Sequence, residues 1–485
     1  MDSRQPCNKL ASNSILMIQR LKHNLSTGVF VFLLAVGICM DSIAEEMKIG
    51  HFQIDVTIPL NHRCMGVLPQ KSKTIADNLD LHGFVLLGDQ DPVVFVAVDW
   101  CEIRNKSYDQ WRERLAKVAK TGPERVLLSS LHQHDAPVID AGAQELLDQV
   151  GLIGELFDPA FHEDAISRAE VALAQAIEEA KPLTHLGYAE SMVREVASNR
   201  RVVDGTGKVS FARGSSSGRD PFFRETDAGL IDPMLRTISF WSHDQCVVEY
   251  HAYATHPMSY YGRGEVTSDF VGLARKRLAR LDRSIHPIYA SGCSGDVTAG
   301  KYNDGSQQAR EELTTKIFDA MLTNRNATRK IEVTNGWKFS SIELELQYTQ
   351  TPNLQKDFML QELKDTNAPV EKRILAAMGL ASWNRTVENS KPIDMPCIDF
   401  GVARVILFPG EAFVGYQHLA QKLSGEVPVI PIGYGECWTG YVPTSAAFDD
   451  GFNESWLWVA PGAEEKIQQG LSKLLNGTHA LKDIR

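Results

Sequence analysis

Apolar and polar positions along the chain fall into two patterns. Short, nearly continuous apolar runs alternate with longer segments of helical period, which predicts an α/β protein. Residues 47–56, 83–87, 93–98 and 125–131 are rich in apolar and β-branched residues and read as strands. The turn Gly88-Asp-Gln-Asp-Pro92 makes a hairpin of the middle two. Residues 108–120 form a charged amphipathic stretch that reads as a helix. Residues 162–181 form a stronger one, with Ile166, Val171, Leu173 and Ile177 spaced for one face. Further strands are predicted at 184–190, 235–241, 246–254, 286–291, 337–350, 402–407 and 427–432. Helices are predicted at 269–281 with Ser268 as N-cap, in two pieces between 354 and 383, from Glu411 to Leu423, and at 463–475. Residues 203–230 carry glycine, serine and arginine and predict a long surface loop, a rim or lid over a cleft. No linker divides this series. The expectation is one large domain of mixed β-sheets flanked by helices.

Polar residues gather where the predicted strands end, the usual place for a site in α/β sheets. Strand 125–131 runs into His132-Gln133-His134-Asp135, and Pro137 stops further pairing. Alternate side chains of an extended segment share a face, so His132 and His134 read as pointing the same way. Such a pair is a common start of a zinc site, although the motif alone fits two surface histidines equally well. Strand 246–254 runs into Thr255-His256-Pro257, and strand 402–407 into Phe408-Pro409-Gly410-Glu411. Glu411 opens a helix, where the dipole favours a carboxylate, and is also a third strand-end group able to bind metal. Gly292 to Gly300 surrounds Asp296 and Thr298 with small residues, which lets backbone N–H groups approach a ligand. The segment from Gly433 to Thr444 carries Tyr434, Trp438 and Tyr441 among glycines and reads as a pocket wall.

Composition narrows the classes. The 485 residues are 43% hydrophobic and 23% charged, as in ordinary globular proteins, and the net charge of -11 argues against a nucleic-acid partner. Lys22 and His23 precede an apolar run at 28–40, too short to span a bilayer as a helix, and Ser42-Ile43-Ala44 follows as a cleavage point. Residues 1–44 are therefore expected to be a signal peptide, with 45–485 functioning outside the cytoplasm, secreted or periplasmic. Six cysteines lie beyond that point without CxxC spacing, which excludes a zinc ribbon and leaves any disulfide pairing open.

Taken together, these strand-end clusters resemble the catalytic domain of the neutral/alkaline ceramidase family. LSSLHQHDAP stands where the family has HxHSGP, and ATHPMS with VTSD follows. SGCSGDVT matches a GDVSPN-like segment, FPGEAF a PGE motif and TGYVPT a YITT-like one. They occur in the family order across nearly all of residues 45–485. The resemblance implies the fold of that domain and a zinc ion held by His132, His256, Glu411 and Tyr441. It implies zinc-activated water attacking an amide carbonyl. It places His134 beside the substrate as oxyanion donor or proton shuttle, Arg200 of the Asn199-Arg200 pair as a cation, and Asp296 and Thr298 against polar groups of the substrate. The implied partner is a small molecule or a ceramide-like lipid, reached by contact with a membrane surface. Trp438, Phe448, Phe452, Trp456 and Trp458 supply rings that either line an acyl slot or pack the core. Thr298 replaces a family serine, Phe452 replaces a second family tyrosine, and well-known members continue into an immunoglobulin-like domain after the last motif. These departures keep two alternatives open: a zinc hydrolase of another amide or ester, and a non-catalytic relative.

Overall fold

A hairpin, a helix and a returning parallel strand recur three times in the computed structural model, which describes residues 46–334 and 336–476. The expected signal peptide lies outside the described residues. In the first unit the strands Asp80–Leu87 and Val93–Val98 pair antiparallel, the helix Asn105–Ala119 follows, and Val126–Ser130 returns parallel to Val93–Val98. The second consists of Met234–Ser242, Gln245–Tyr253, the helix Asp269–Leu281 and the parallel strand His286–Ser291. The third consists of Ile393–Asp399, Arg404–Leu407, the helix Val414–Ser424 and the parallel strand Val429–Ile432. Outer strands complete two five-stranded sheets and one four-stranded sheet, all mixed, within one compact unit.

The apolar runs explain why the parallel pairs lie inside. Every residue of Val93–Val98, Val126–Ser130, His286–Ser291 and Val429–Ile432 is buried. Strands covered on both faces read as continuous apolar runs, which is the pattern seen in sequence. The parallel edges of the three sheets then meet one another. Ser130 N–H donates to the Tyr434 carbonyl at 3.1 Å, and Gly433 N–H donates to the Ser291 carbonyl at 2.8 Å. Ser291 Oγ donates to the Leu131 carbonyl at 2.9 Å. These three bonds close a ring through all three units.

Buried ion pairs brace the ring. Arg275, on the helix of the second unit, holds Asp99, just past the strand Val93–Val98 of the first, through two bonds of 2.7 Å. Removing one partner of such a pair strands the other charge, at about 3–5 kcal/mol. Asp296 accepts from Val414 N–H at 2.8 Å and so ties the second unit to the helix of the third.

Several expectations need correction. The strand Ile393–Asp399 is not legible as one because Pro396 interrupts its apolar pattern. The ladder to Arg404–Leu407 begins only at Cys397, so the proline leaves no gap on that side. The helix Ala141–Asp148 and the strand Arg329–Glu332 are also additional to the predicted set. Residues 203–230 are not one loop. They include a ribbon of Val202–Val203 with Val209–Ser210 and a short helix, Pro221–Glu225. Ser268 stands at the N-cap position, but its hydroxyl donates to Asp77 instead of capping. All six described cysteines are buried and unpaired, and no described helix is long and apolar enough to cross a membrane.

Candidate metal centre

The strand ends carry His132, His256 and Glu411 to one point. His132 Nε2 lies 3.3 Å and His256 Nε2 3.1 Å from the same Glu411 oxygen, Oε2. All three are buried. Each imidazole is aimed by its other nitrogen. His256 Nδ1 lies 2.6 Å from the Ser294 carbonyl and 3.1 Å from that of Val297, and His132 Nδ1 lies 3.2 Å from that of Cys101. A carbonyl only accepts, so Nδ1 of each ring carries a proton and Nε2 is the nitrogen turned to Glu411. A cation entering there would take the Nε2 lone pairs in place of any proton on Nε2.

His132 reaches its place differently from the sequence expectation. The strand ends at Ser130, and His132 has φ 67°, in the left-handed region, so alternation along an extended strand does not set its direction. A non-glycine residue held there costs roughly 1–3 kcal/mol, which the surroundings must outweigh. Tyr434 occupies the matching place in the third unit, two residues past its parallel strand, and has φ 57°. The two rings stack at 4.5 Å with 17° between planes, and the Tyr434 hydroxyl bonds Ser294 Oγ at 2.8 Å. The sequence reading counted Tyr434 only as pocket wall.

Glycine is required where the second and third units touch. A Cβ on Gly295 would lie 2.1 Å from the Glu411 carbonyl oxygen, and Gly295 N–H donates to the neighbouring Ala412 carbonyl at 3.0 Å. The small residues seen in sequence serve close packing of this loop on the Glu411 strand.

His134 stands beside the pair. Its ring lies 5.0 Å from that of His132 and 6.0 Å from that of His256, and neither of its nitrogens has a partner among the described residues. Nitrogens of His132, His134 and His256 lie within 4.8 Å of one another, as do donor atoms of Glu102, His132 and Glu411. Burial, with His132 and His256 alongside, holds the His134 imidazole well below its usual range, so it is neutral. It then offers one N–H donor and one lone pair. Burial alone would raise the Glu411 carboxyl, but His132 and His256 outweigh it and hold Glu411 below the usual carboxylate range. Two imidazole lone pairs and an anionic oxygen fit a metal ion, and these residues are able to hold one.

The remaining site residues form a wall. Tyr441 pairs with Glu411 in a two-residue parallel ladder, and its hydroxyl accepts from Arg200 Nη1 at 2.8 Å. Arg200 Nη2 reaches Glu454 at 2.8 Å. Asp296 has both oxygens engaged, one by Val414 N–H and the other by Asn199 Nδ2 at 2.8 Å. Thr298 Oγ1 accepts from Gly300 N–H at 2.8 Å and lies 3.3 Å from the Gly214 carbonyl. Tyr261, partly exposed, covers His134 with ring centroids 4.7 Å apart. Sequence reasoning passed over Tyr261 and Glu102. A cavity of about 470 Å³, lined by residues such as Asp109, Arg112, Lys391 and Asp394, shares no residue with this cluster.

Fold and site together define a mixed α/β protein whose three converging strand ends enclose a histidine and carboxylate cluster able to hold a metal. No protein-family model and no curated protein matches the chain. Among solved structures it is similar to neutral ceramidase from Pseudomonas aeruginosa, with TM-score 0.64 and 15% identity over 89% of this chain and 75% of that one. A structure of ceramidase complexed with C2 matches over the same shares, with TM-score 0.65 and 15% identity. The chain has the neutral ceramidase fold.

Proposed function

We propose that the protein is an exported, zinc-dependent amidohydrolase of neutral ceramidase type that cleaves an N-acyl amide. One observation carries the reading: two Nε2 nitrogens and a Glu411 oxygen meet at one buried point, with unpartnered His134 beside them. His132, His256 and Glu411 would hold the ion, and Tyr441 would complete the set from its place opposite Glu411. Zinc bound there supplies Lewis acidity that activates water near neutral pH. The neutral His134 donates to the developing oxyanion or carries the proton to the leaving amine. Arg200 adds a cation at the same wall, held between Tyr441 and Glu454. Asp296 and Thr298 act by positioning, since their oxygens are taken up by the scaffold.

One observation favours an amide or ester other than ceramide as the substrate. Phe452 is buried among Phe211, Phe413 and Tyr441, at ring distances of 5.0, 5.0 and 5.3 Å. Trp438, Trp456 and Trp458 are likewise buried. Those rings pack the core and leave little wall for a long acyl chain. Metal analysis of the purified protein should find zinc in equimolar amount, and a chelator should abolish turnover of N-acyl substrates. Ceramide is expected to turn over slowly within such a panel, and Phe452→Tyr to raise it. Absence of bound metal, or no turnover across the panel, would leave a non-catalytic relative.

A further inference from the structure

The two imidazoles that face Glu411 are backed differently. His256 Nδ1 meets two backbone carbonyls, of Ser294 and Val297. His132 Nδ1 meets one, of Cys101, and the next residue brings a carboxylate. Glu102 Oε1 lies 3.9 Å from His132 Nδ1. Glu102 is fully buried, and Oε1 has no hydrogen-bond partner among the described residues. A buried carboxylate oxygen without a donor is rare and needs a neighbouring positive group.

The other oxygen is anchored. Arg104 Nη1 donates to Glu102 Oε2 at 2.9 Å, and Arg104 is itself fixed on every side. Its Nη2 donates to Ser382 Oγ at 2.9 Å, its Nε lies 3.5 Å from Asp140, and its guanidinium lies 4.3 Å from the centre of the Trp458 ring. The backbone is held as well, because Glu102–Ile103 pairs in parallel with Val138–Ile139. The guanidinium takes Oε2, and Oε1 is left facing His132.

We propose that Glu102 is a positioning residue of the metal centre, which backs His132 at Nδ1 and strengthens it as a ligand. The Cys101 carbonyl, 3.2 Å away, fixes the proton on His132 Nδ1. The Glu102 carboxylate, with Oε1 3.9 Å from that nitrogen, adds negative potential there that raises the basicity of Nε2. Carboxylate-backed histidines bind metal more tightly than the same ring without its partner. Glu102 is not itself a ligand in this arrangement. Arg104 holds its other oxygen, Oε2, and the free Oε1 lies nearest to Nδ1, the ring nitrogen turned away from Glu411. The centre is thereby unequal, with His132 the stronger imidazole donor and His256 the weaker.

This inference rests on reading the cluster as a metal centre, and the test separates the two. Zinc affinity is measured by competition with a chelator for the unmodified chain and for Glu102→Gln, which keeps an acceptor for Arg104 and removes the charge. The expected result is affinity lower by about 10- to 100-fold, with Glu102→Asp intermediate in affinity. The melting temperature in chelator should also be lower for Glu102→Gln, because buried Arg104 loses its charge partner. Should the glutamine variant fail to fold, Glu102→Met combined with Arg104→Met removes both charges together, and the same loss is expected. Unchanged affinity in the folded variant would overturn the inference, as would a fall in melting temperature alone, which would make Glu102 purely structural. Complete loss of binding would overturn it in favour of direct ligation. No zinc binding by the unmodified chain would defeat the metal-centre reading itself.

Discussion

The floor of the site and its rim are held by different kinds of bond. On the floor, the imidazoles of His132 and His256 are aimed by backbone carbonyls, and the Gly292–Gly300 loop is pinned by a backbone bond from Gly295 to Ala412. On the rim, Arg200 is held by the side chains of Tyr441 and Glu454, Arg201 by Asp450, and Phe452 by three aromatic rings. Backbone acceptors survive substitution at their own positions, whereas a side-chain partner is lost with one mutation. The chemistry of the floor therefore depends less on neighbouring side chains than the contacts of the rim do.

Replacing a floor residue should give the largest effect. His256→Ala should lose metal and turnover together, read by metal analysis alongside an amide assay, and retained metal would detach His256 from the centre. His134→Ala should keep its metal and lose about 10²–10⁴ in rate. Metal loss equal to that of His256→Ala would make His134 a ligand and merge it with the floor.

Histidines of the scaffold give a third class against which both can be set. His162 Nε2 accepts from Trp111 Nε1 at 3.0 Å, and burial lowers its pKa from 6.5 to about 4. The unfolded chain therefore binds this proton more readily. Stability is full above about pH 6.5 and falls as the pH drops towards 4, by roughly 3 kcal/mol from this residue. Denaturant titration across that range should be flatter in His162→Gln, and an unchanged slope would show that His162 is not the group responsible. A rim substitution should be smallest. Arg200→Ala removes hydrogen bonds of charged type, each about 1.5–3 kcal/mol, so kcat/KM should fall roughly 10- to 100-fold with metal content unaltered. Metal loss in that variant would mean that the rim also holds the floor, through Tyr441.

Legibility in the sequence follows the same division. His132, His256 and Glu411 could be read because each stands just past an apolar run with a proline within five residues. What the residues could not reveal is that these ends converge, since convergence depends on three sheets meeting edge to edge. Glu102 left only a trace, a charged residue paired with Arg104 four positions past the wholly apolar Val93–Val98. The direction of His132 was expected from strand alternation, and it comes instead from a left-handed backbone turn. The threefold recurrence of hairpin, helix and parallel strand was invisible because the units share topology and not residue pattern. Inserts of differing length also separate them.

The ring of three hydrogen bonds bears on how the chain folds. Ser130 and Tyr434 are separated by 304 positions, and His256 and Glu411 by 155. Contacts this distant in sequence close late, because the intervening loops lose entropy before the contact rewards them. Each unit can form its own sheet from local pairings, but none alone carries His132, His256 and Glu411. In refolding, metal uptake should therefore trail the recovery of secondary structure and coincide with the last step of assembly. A bound ion then marks a finished molecule, and partly folded chains would be left without the chemistry.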